Sequence, residues 1–301
     1  MSWENIELAR EVETLAKQNG YTLSLTVENR DIGFGGALGT NEVILAEKKI
    51  NITVSDEFKE VDSLWIHELL HAKLFLLGYP KIIIHPEHQQ PDNIEYVLLE
   101  IENTAHHSLI YNMMKDMGVS QEELNVSYLS GVESDLEKSF SGPNNVIRAL
   151  RLVEADLRSP GFNTPNEIVL QRNQPEAYSL FRKFRRSLKR IETPKQMRKA
   201  MVDNIALVDR SLSRYLGNKF YLGIFNSLPV ILTDVQASRR ADQVFRLVKF
   251  NEYQDIFVIG REDQHCCLFV PHIPMMDLEN MMVRMTANEF LISATVNGRR
   301  R

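Results

Sequence analysis

One stretch, from about Asp56 to Leu77, limits the possible folds most, because it has helical periodicity and carries two histidines in its apolar stripe. The stripe consists of Leu64, Ile66, Leu70, Leu74, Phe75 and Leu77. His67 and His71 fall about 40° apart within it, at about 100° per residue. An unsatisfied polar group in a buried face costs on the order of a few kcal/mol. The two imidazoles therefore need polar partners, which a shared cation would supply.

The same stretch reads His67-Glu68-Leu69-Leu70-His71, an HExxH pattern on a helix. Residues four apart share one helix face, so both imidazoles can reach one zinc ion while Glu68 acts as general base. The alternative is two core histidines that hydrogen-bond to backbone, with a conventional glutamate between them. We favour the metal site, because the surrounding stripe is apolar.

A third ligand is expected from a second long helix, Asn93 to Met117, because a catalytic zinc usually has three protein ligands. Its candidates are Glu100, Glu102, His106 and His107. Glu102 lies within the apolar face, where a carboxylate needs a cation or a metal, and it is the predicted ligand. His106 lies at the margin of that face, where it can orient a ligand or a substrate carbonyl. Glu100 and His107 are predicted to point to the opposite side, although either of them, or His106, remains an alternative ligand.

The two motifs, His67 to His71 and Glu102-Asn-Thr-Ala-His106, resemble those of gluzincin metallopeptidases. The order of short helix, strands and HExxH helix is similar to that of the small ImmA/IrrE class of regulatory zinc peptidases. The resemblance covers about the first 120 residues. It implies Zn²⁺ bound by His67, His71 and Glu102, Glu68 as general base, and hydrolysis of a protein or peptide substrate.

A hydrolytic site also needs a donor for the developing oxyanion. The candidates in the sequence are His106, His107, His85, His88 and Tyr79. An extended substrate could pair with a strand edge near Gly33–Gly39 or with the strand before the HExxH helix.

The order of the predicted elements indicates an α+β fold. A zincin-like domain (a small sheet with the HExxH helix and a ligand helix) is expected over residues 1–125, and a helical segment with a C-terminal α/β region over 126–301. Strands are predicted at 21–27, 42–46, 49–54, 220–225, 244–250, 256–260 and 267–270. Residues 131–145 are predicted to be a polar linker. Residues 145–216 are predicted to be helical with breaks near three prolines, and a helix is predicted at 278–285.

Composition excludes several classes of protein. The adjacent cysteines, Cys266 and Cys267, cannot form a disulfide framework, and no stretch reaches the ~18 apolar residues of a membrane span. We therefore expect a cytoplasmic protein that does not bind membranes. The net charge of -5 disfavours general nucleic-acid binding, although the basic run at 182–190 leaves it possible.

Two functions follow. The first is a regulatory zinc metalloendopeptidase whose C-terminal half selects the substrate or controls access. The alternative is a catalytically inactive zincin-fold protein that acts through its C-terminal region.

Overall fold

The computed structural model describes residues 7–28, 38–84, 93–249, 255–270 and 273–299. It shows an α+β protein with small sheets. The chain divides into two compact units, of which unit 1 comprises 1–79 and 103–192 and unit 2 comprises 80–102 and 193–301. This division differs from the boundary at residue 125 that the sequence predicted, because residues 126–192 belong to the same unit as the HExxH helix.

Unit 1 begins with helix α1 (Glu7–Gln18) and a three-stranded sheet of β1 (Thr22–Glu28), β2 (Gly39–Ile44) and β3 (Lys49–Ser55). The central strand β3 runs parallel to β1 and antiparallel to β2, which is an edge strand of the sheet as far as the described residues form it. Ile50, Ile52 and Val54 are fully buried on one face of β3. This burial confirms the period-two pattern of the sequence.

Two long helices follow, α2 (Asp62–Leu76) and α3 (Ile94–Asp116). Helix α2 starts later than predicted, because Asp56–Phe58 forms a short 3-10 turn instead. Every residue of α2 from Leu64 to Ala72 is buried. This part of the helix is thus enclosed on all sides, whereas the apolar stripe in the sequence predicts one buried face.

The rest of unit 1 is helical, with α4 (Glu122–Ser134), α5 (Asn144–Arg158), α6 (Glu167–Asn173) and α7 (Pro175–Leu188). The stretch 131–145, predicted to be a polar linker, comprises the end of α4, a connection at 135–143 that is neither helix nor strand, and the first residues of α5. Asp135 in that connection is buried and pairs with Arg151 at 3.2 Å and with Lys138 at 2.6 Å.

Among the described residues, unit 2 contains the first part of α3, a two-stranded and a three-stranded antiparallel sheet, and six further helices. The elements are β4 (Ile83–Ile84), α8 (Pro194–Leu216), α9 (Leu222–Phe225), β5 (Asn226–Ser227), α10 (Asp234–Ser238), α11 (Ala241–Val244), β6 (Phe245–Lys249), β7 (Ile256–Gly260), β8 (Cys266–Val270), α12 (Met275–Arg284) and α13 (Ala287–Arg299). The larger sheet has the order β6-β7-β8, and Phe245, Val258 and Phe290 lie in its core.

Unit 2 differs from the sequence prediction in several elements, among them the short elements β5, α10 and α11, which were not predicted. The prediction of a strand at 220–225 is wrong, because Tyr221 has a positive φ of 53° and caps the start of the short helix α9. Helix α13 was not predicted at all. Within the described ranges no helix has the length and apolarity needed to cross a membrane.

Candidate metal centre

Three imidazoles converge in the interior of unit 1. His67 and His71 come from α2 and His107 from α3, and all three are at least nine-tenths buried. Their Nε2 atoms form a triangle, with His67 to His71 at 3.3 Å, His71 to His107 at 3.1 Å and His67 to His107 at 3.1 Å. This group could hold a metal ion.

The distances in the triangle are close to those between the ligand nitrogens of a tetrahedrally coordinated metal ion. Zn–N bonds of about 2.0–2.1 Å at tetrahedral angles place the nitrogens about 3.3 Å apart. Three Nε2 atoms that all point at one another cannot satisfy each other by hydrogen bonds, because each neutral nitrogen is either a donor or an acceptor. A cation that accepts all three lone pairs satisfies them together. The donor set therefore fits a metal.

The proton on His107 is placed by a carboxylate from another helix. Nδ1 of His107 lies 2.8 Å from Oε2 of Glu154 on α5. The carboxylate accepts the Nδ1 proton, so that Nε2 keeps its lone pair toward the triangle. Sequence reasoning missed Glu154, although a glutamate in the amphipathic stretch of α5, four residues before an arginine, was a usable signal.

Glu154 is itself held by two further donors. Its Oε1 accepts hydrogen bonds from the hydroxyl of Tyr111 and from Nε of Arg158, the latter at 2.7 Å. Burial favours the protonated carboxyl, but the adjacent His107 and Arg158 outweigh it and hold the pKa of Glu154 well below its usual range. Burial, together with the charge of Glu154, raises the pKa of Tyr111. Glu154 is therefore ionised and Tyr111 is neutral.

His71 is oriented by a fourth histidine. Its Nδ1 lies 3.2 Å from Nδ1 of His106, which is fully buried. If His71 donates this proton, its Nε2 lone pair is left for the triangle. The position of His106 in the sequence predicts that it orients a ligand or a substrate carbonyl, and in the structure it contacts the ligand candidate His71.

His67 has an environment that keeps it neutral. Burial, with His107 and Arg158 nearby, holds the pKa of His67 well below its usual value. Nδ1 of His67 is buried and has no hydrogen-bond partner within the described residues. A neutral imidazole is the form that binds a metal.

Glu68, the predicted general base, is buried on α2 and lies against the edge strand β2. A Cβ atom at Gly39 would lie 3.0 Å from both Cγ and Oε1 of Glu68, so any other residue there would push the Glu68 side chain aside by a few tenths of an ångström. Asn41 donates from Nδ2 to the backbone oxygen of Glu68 at 3.4 Å. Strand β2 therefore fixes the position of Glu68.

Glu102, the predicted third ligand, has other partners. Its Oε2 accepts the backbone N–H of Ile82 at 2.6 Å, and its Oε1 lies 3.5 Å from Nζ of Lys81. Among the described residues, the group that could hold a metal ion joins His107, and not Glu102, to His67 and His71. The prediction that His107 points away from the buried side is wrong, because Thr104, Ala105, His106 and His107 are all buried.

Of the remaining oxyanion candidates, Tyr79 lies within the described residues. Tyr79, a predicted oxyanion donor, gives its hydroxyl proton to the backbone oxygen of Glu192 at 2.9 Å. His85, His88 and all but the end of the stretch Gly33–Gly39 lie outside the described residues. Both cysteines are buried, as expected of strand residues.

Comparison of the chain with protein-family models, with curated proteins and with solved structures found no match.

Proposed function

We propose that this protein is a zinc-dependent peptidase that cleaves a protein or peptide substrate. The observation that carries the proposal is the convergence of three Nε2 atoms within 3.3 Å of one another, two of them from the helix that also carries Glu68. Imidazole ligands suit several transition metals, and three of them with an open fourth position are typical of catalytic zinc.

Each residue has a role that follows from its surroundings. His67, His71 and His107 would hold the ion, and Glu154 keeps the proton of His107 on Nδ1. Zinc in such a site supplies a Lewis acid and lowers the pKa of water. The carboxylate of Glu68 accepts the proton of the attacking water and delivers it to the leaving amine.

The layout of unit 1 supports a zincin-like arrangement. The HExxH helix α2 packs against the edge strand β2, which is antiparallel to β3. An extended substrate could add to the outer edge of β2. The third imidazole in place of Glu102 departs from the ligand set that a gluzincin resemblance implies. The proposal therefore rests on the three imidazoles and Glu68 and not on the family.

The burial of the centre favours a second candidate, a structural metal site in a binding or regulatory protein. His67, His71, His107 and Glu68 are 9%, 7%, 6% and 7% exposed. Structural zinc sites are closed, whereas catalytic ones keep a position open to water and substrate. The catalytic and the structural site have the same metal ligands and differ in whether Glu68 takes part in the hydrolysis of a substrate.

Metal analysis and a peptidase assay on the same preparations separate the two candidates. Wild type, prepared without chelators, should contain about one zinc per chain, and His71→Ala should lose it. Glu68→Gln should keep the zinc but lose hydrolysis of a casein or peptide-library substrate by roughly 100-fold or more. Zinc in wild type with no hydrolysis of any substrate would support the structural site. Metal-free wild type would refute both candidates.

A further inference from the structure

A cleft of about 260 Å³ opens on unit 1, between α7, the end of α5 and the segment that joins α5 to α6. Four cationic side chains line it: Arg182, Arg185, Arg186 and Lys189. Its size lies just below the usual range of small-molecule sites, about 300–1,000 Å³. The basic run of the sequence therefore borders a concave site.

The charges in the cleft are only partly compensated. Its two acidic residues, Asp156 and Glu167, leave a net charge of +2 against the four cations (4 − 2). Asp156 forms an ion pair with Arg185, and Glu167 accepts the hydroxyl proton of Tyr178 at 2.6 Å.

The other three cations, Arg182, Arg186 and Lys189, form no ion pair with any residue that the structure describes. Local structure explains this arrangement only in part. Cations in the last turn of a helix interact favourably with its dipole, which accounts for Arg186 and Lys189. Arg182 precedes the last turn of α7, so the dipole does not account for it. Arg186 follows it by four residues and Lys189 follows Arg186 by three, and like charges at these spacings repel each other and destabilise a helix. An anion in the cleft would convert that repulsion into attraction.

We propose that this cleft binds the phosphate monoester of a small polar molecule. A phosphate monoester carries a charge of about −1.5 to −2 at pH 7, which matches the net charge of the cleft. Arginine guanidinium groups donate two parallel hydrogen bonds to phosphate oxygens. Asn163 and Thr164 also line the cleft, and Oδ1 of the buried Asn163 has no partner among the described residues. These groups suit a ligand with hydroxyls beside its phosphate.

The aromatic residues argue against a nucleic acid as the ligand. Tyr178 and Phe181 line the cleft but are only 8% and 5% exposed, so they offer little surface on which a base could stack. The net charge of the whole chain is -5, whereas a polyanion needs an extended basic surface.

Calorimetric titration of the full chain tests the proposal, with glycerol 3-phosphate, inorganic phosphate, sulfate and a single-stranded oligonucleotide as probes. Glycerol 3-phosphate should bind wild type, and Arg182→Gln/Arg186→Gln should weaken binding by about tenfold or more. The matched control is Lys115→Gln/Lys183→Gln, which removes the same charge from exposed positions of unit 1 outside the cleft. It should change the affinity by less than about twofold. Thermal melting of both double variants checks that they fold.

Four results would overturn the inference. The first is that wild type does not bind glycerol 3-phosphate at millimolar concentration, and the second is that both double variants lose the same affinity for it. The third is that sulfate binds as tightly as glycerol 3-phosphate. The fourth is that the oligonucleotide binds more tightly than glycerol 3-phosphate and that Arg182→Gln/Arg186→Gln abolishes this binding. The last result would identify a nucleic-acid site. None of these measurements depends on zinc, so the inference stands or falls separately from the peptidase proposal.

Discussion

Glu154→Gln is the most informative change at the metal centre, because glutamine has one acceptor oxygen where three donors converge. Nδ1 of His107 points at Oε2, whereas Tyr111 and Arg158 both point at Oε1. The glutamine oxygen should take the Oε1 position, since there it keeps two hydrogen bonds, one of them from a guanidinium. Its amide group then faces His107 and donates to Nδ1.

That reversal moves the proton of His107 to Nε2, which leaves no lone pair for a metal. Loss of a partner that orients a metal ligand typically lowers metal affinity 10- to 100-fold. This corresponds to about 1.4–2.7 kcal/mol of binding free energy. Arg158 also loses its anionic partner, for which we expect a further loss of unfolding free energy of about 1–3 kcal/mol in the metal-free protein.

The assay is competition for Zn²⁺ with a chromophoric chelator, alongside urea unfolding of the metal-free protein. Glu133→Gln is the matched control, since it makes the same change at an exposed position of α4. It should leave both quantities unchanged. Zinc affinity of a folded Glu154→Gln protein within about twofold of wild type would refute the assignment of the His107 proton.

Three further changes test other parts of the structure. Gly39→Ala should displace the Glu68 side chain, because the new Cβ lies 3.0 Å from its Cγ and Oε1. The rate of hydrolysis should then fall about tenfold or more while the zinc content, measured on the same sample, stays constant. His106→Phe removes the partner of Nδ1 of His71, and zinc affinity should fall by about tenfold in the chelator competition. Burial first, then Arg198, lowers the pKa of His265 to about 4. As the pH falls, His265 is protonated near pH 6.5 in the unfolded chain but stays neutral in the folded protein until about pH 4. The free energy of unfolding should therefore fall by about 3 kcal/mol from pH 7 to pH 4. Urea unfolding of His265→Leu should lack that part of the decrease.

The elements that the sequence predicted well are those with a strong local period. The alternation of Ile50, Ile52 and Val54 predicted β3, and the helical breaks after residue 145 coincide with Pro175 and Pro194 at the first positions of α7 and α8. A short element such as α9 could not be predicted, because its start depends on the left-handed backbone of Tyr221. Local pattern contains no information about such a backbone angle.

The candidate centre shows the same limit more clearly. His67 and His71 could be identified because both lie on one helix, four residues apart, where geometry is fixed by the chain itself. The choice between Glu102 and His107 assumed that α3 has a single buried face, and that assumption fails where Thr104 to His107 are all enclosed. Glu154 is 47 residues from His107 in the chain and meets it only through tertiary packing. A carboxylate in the core costs several kcal/mol unless it is paired, so an otherwise unexplained glutamate on an apolar helix face indicates an unseen partner. Applied to α5, that reasoning would have predicted that Glu154 has a buried partner, and a histidine on α3 was available to fill that role.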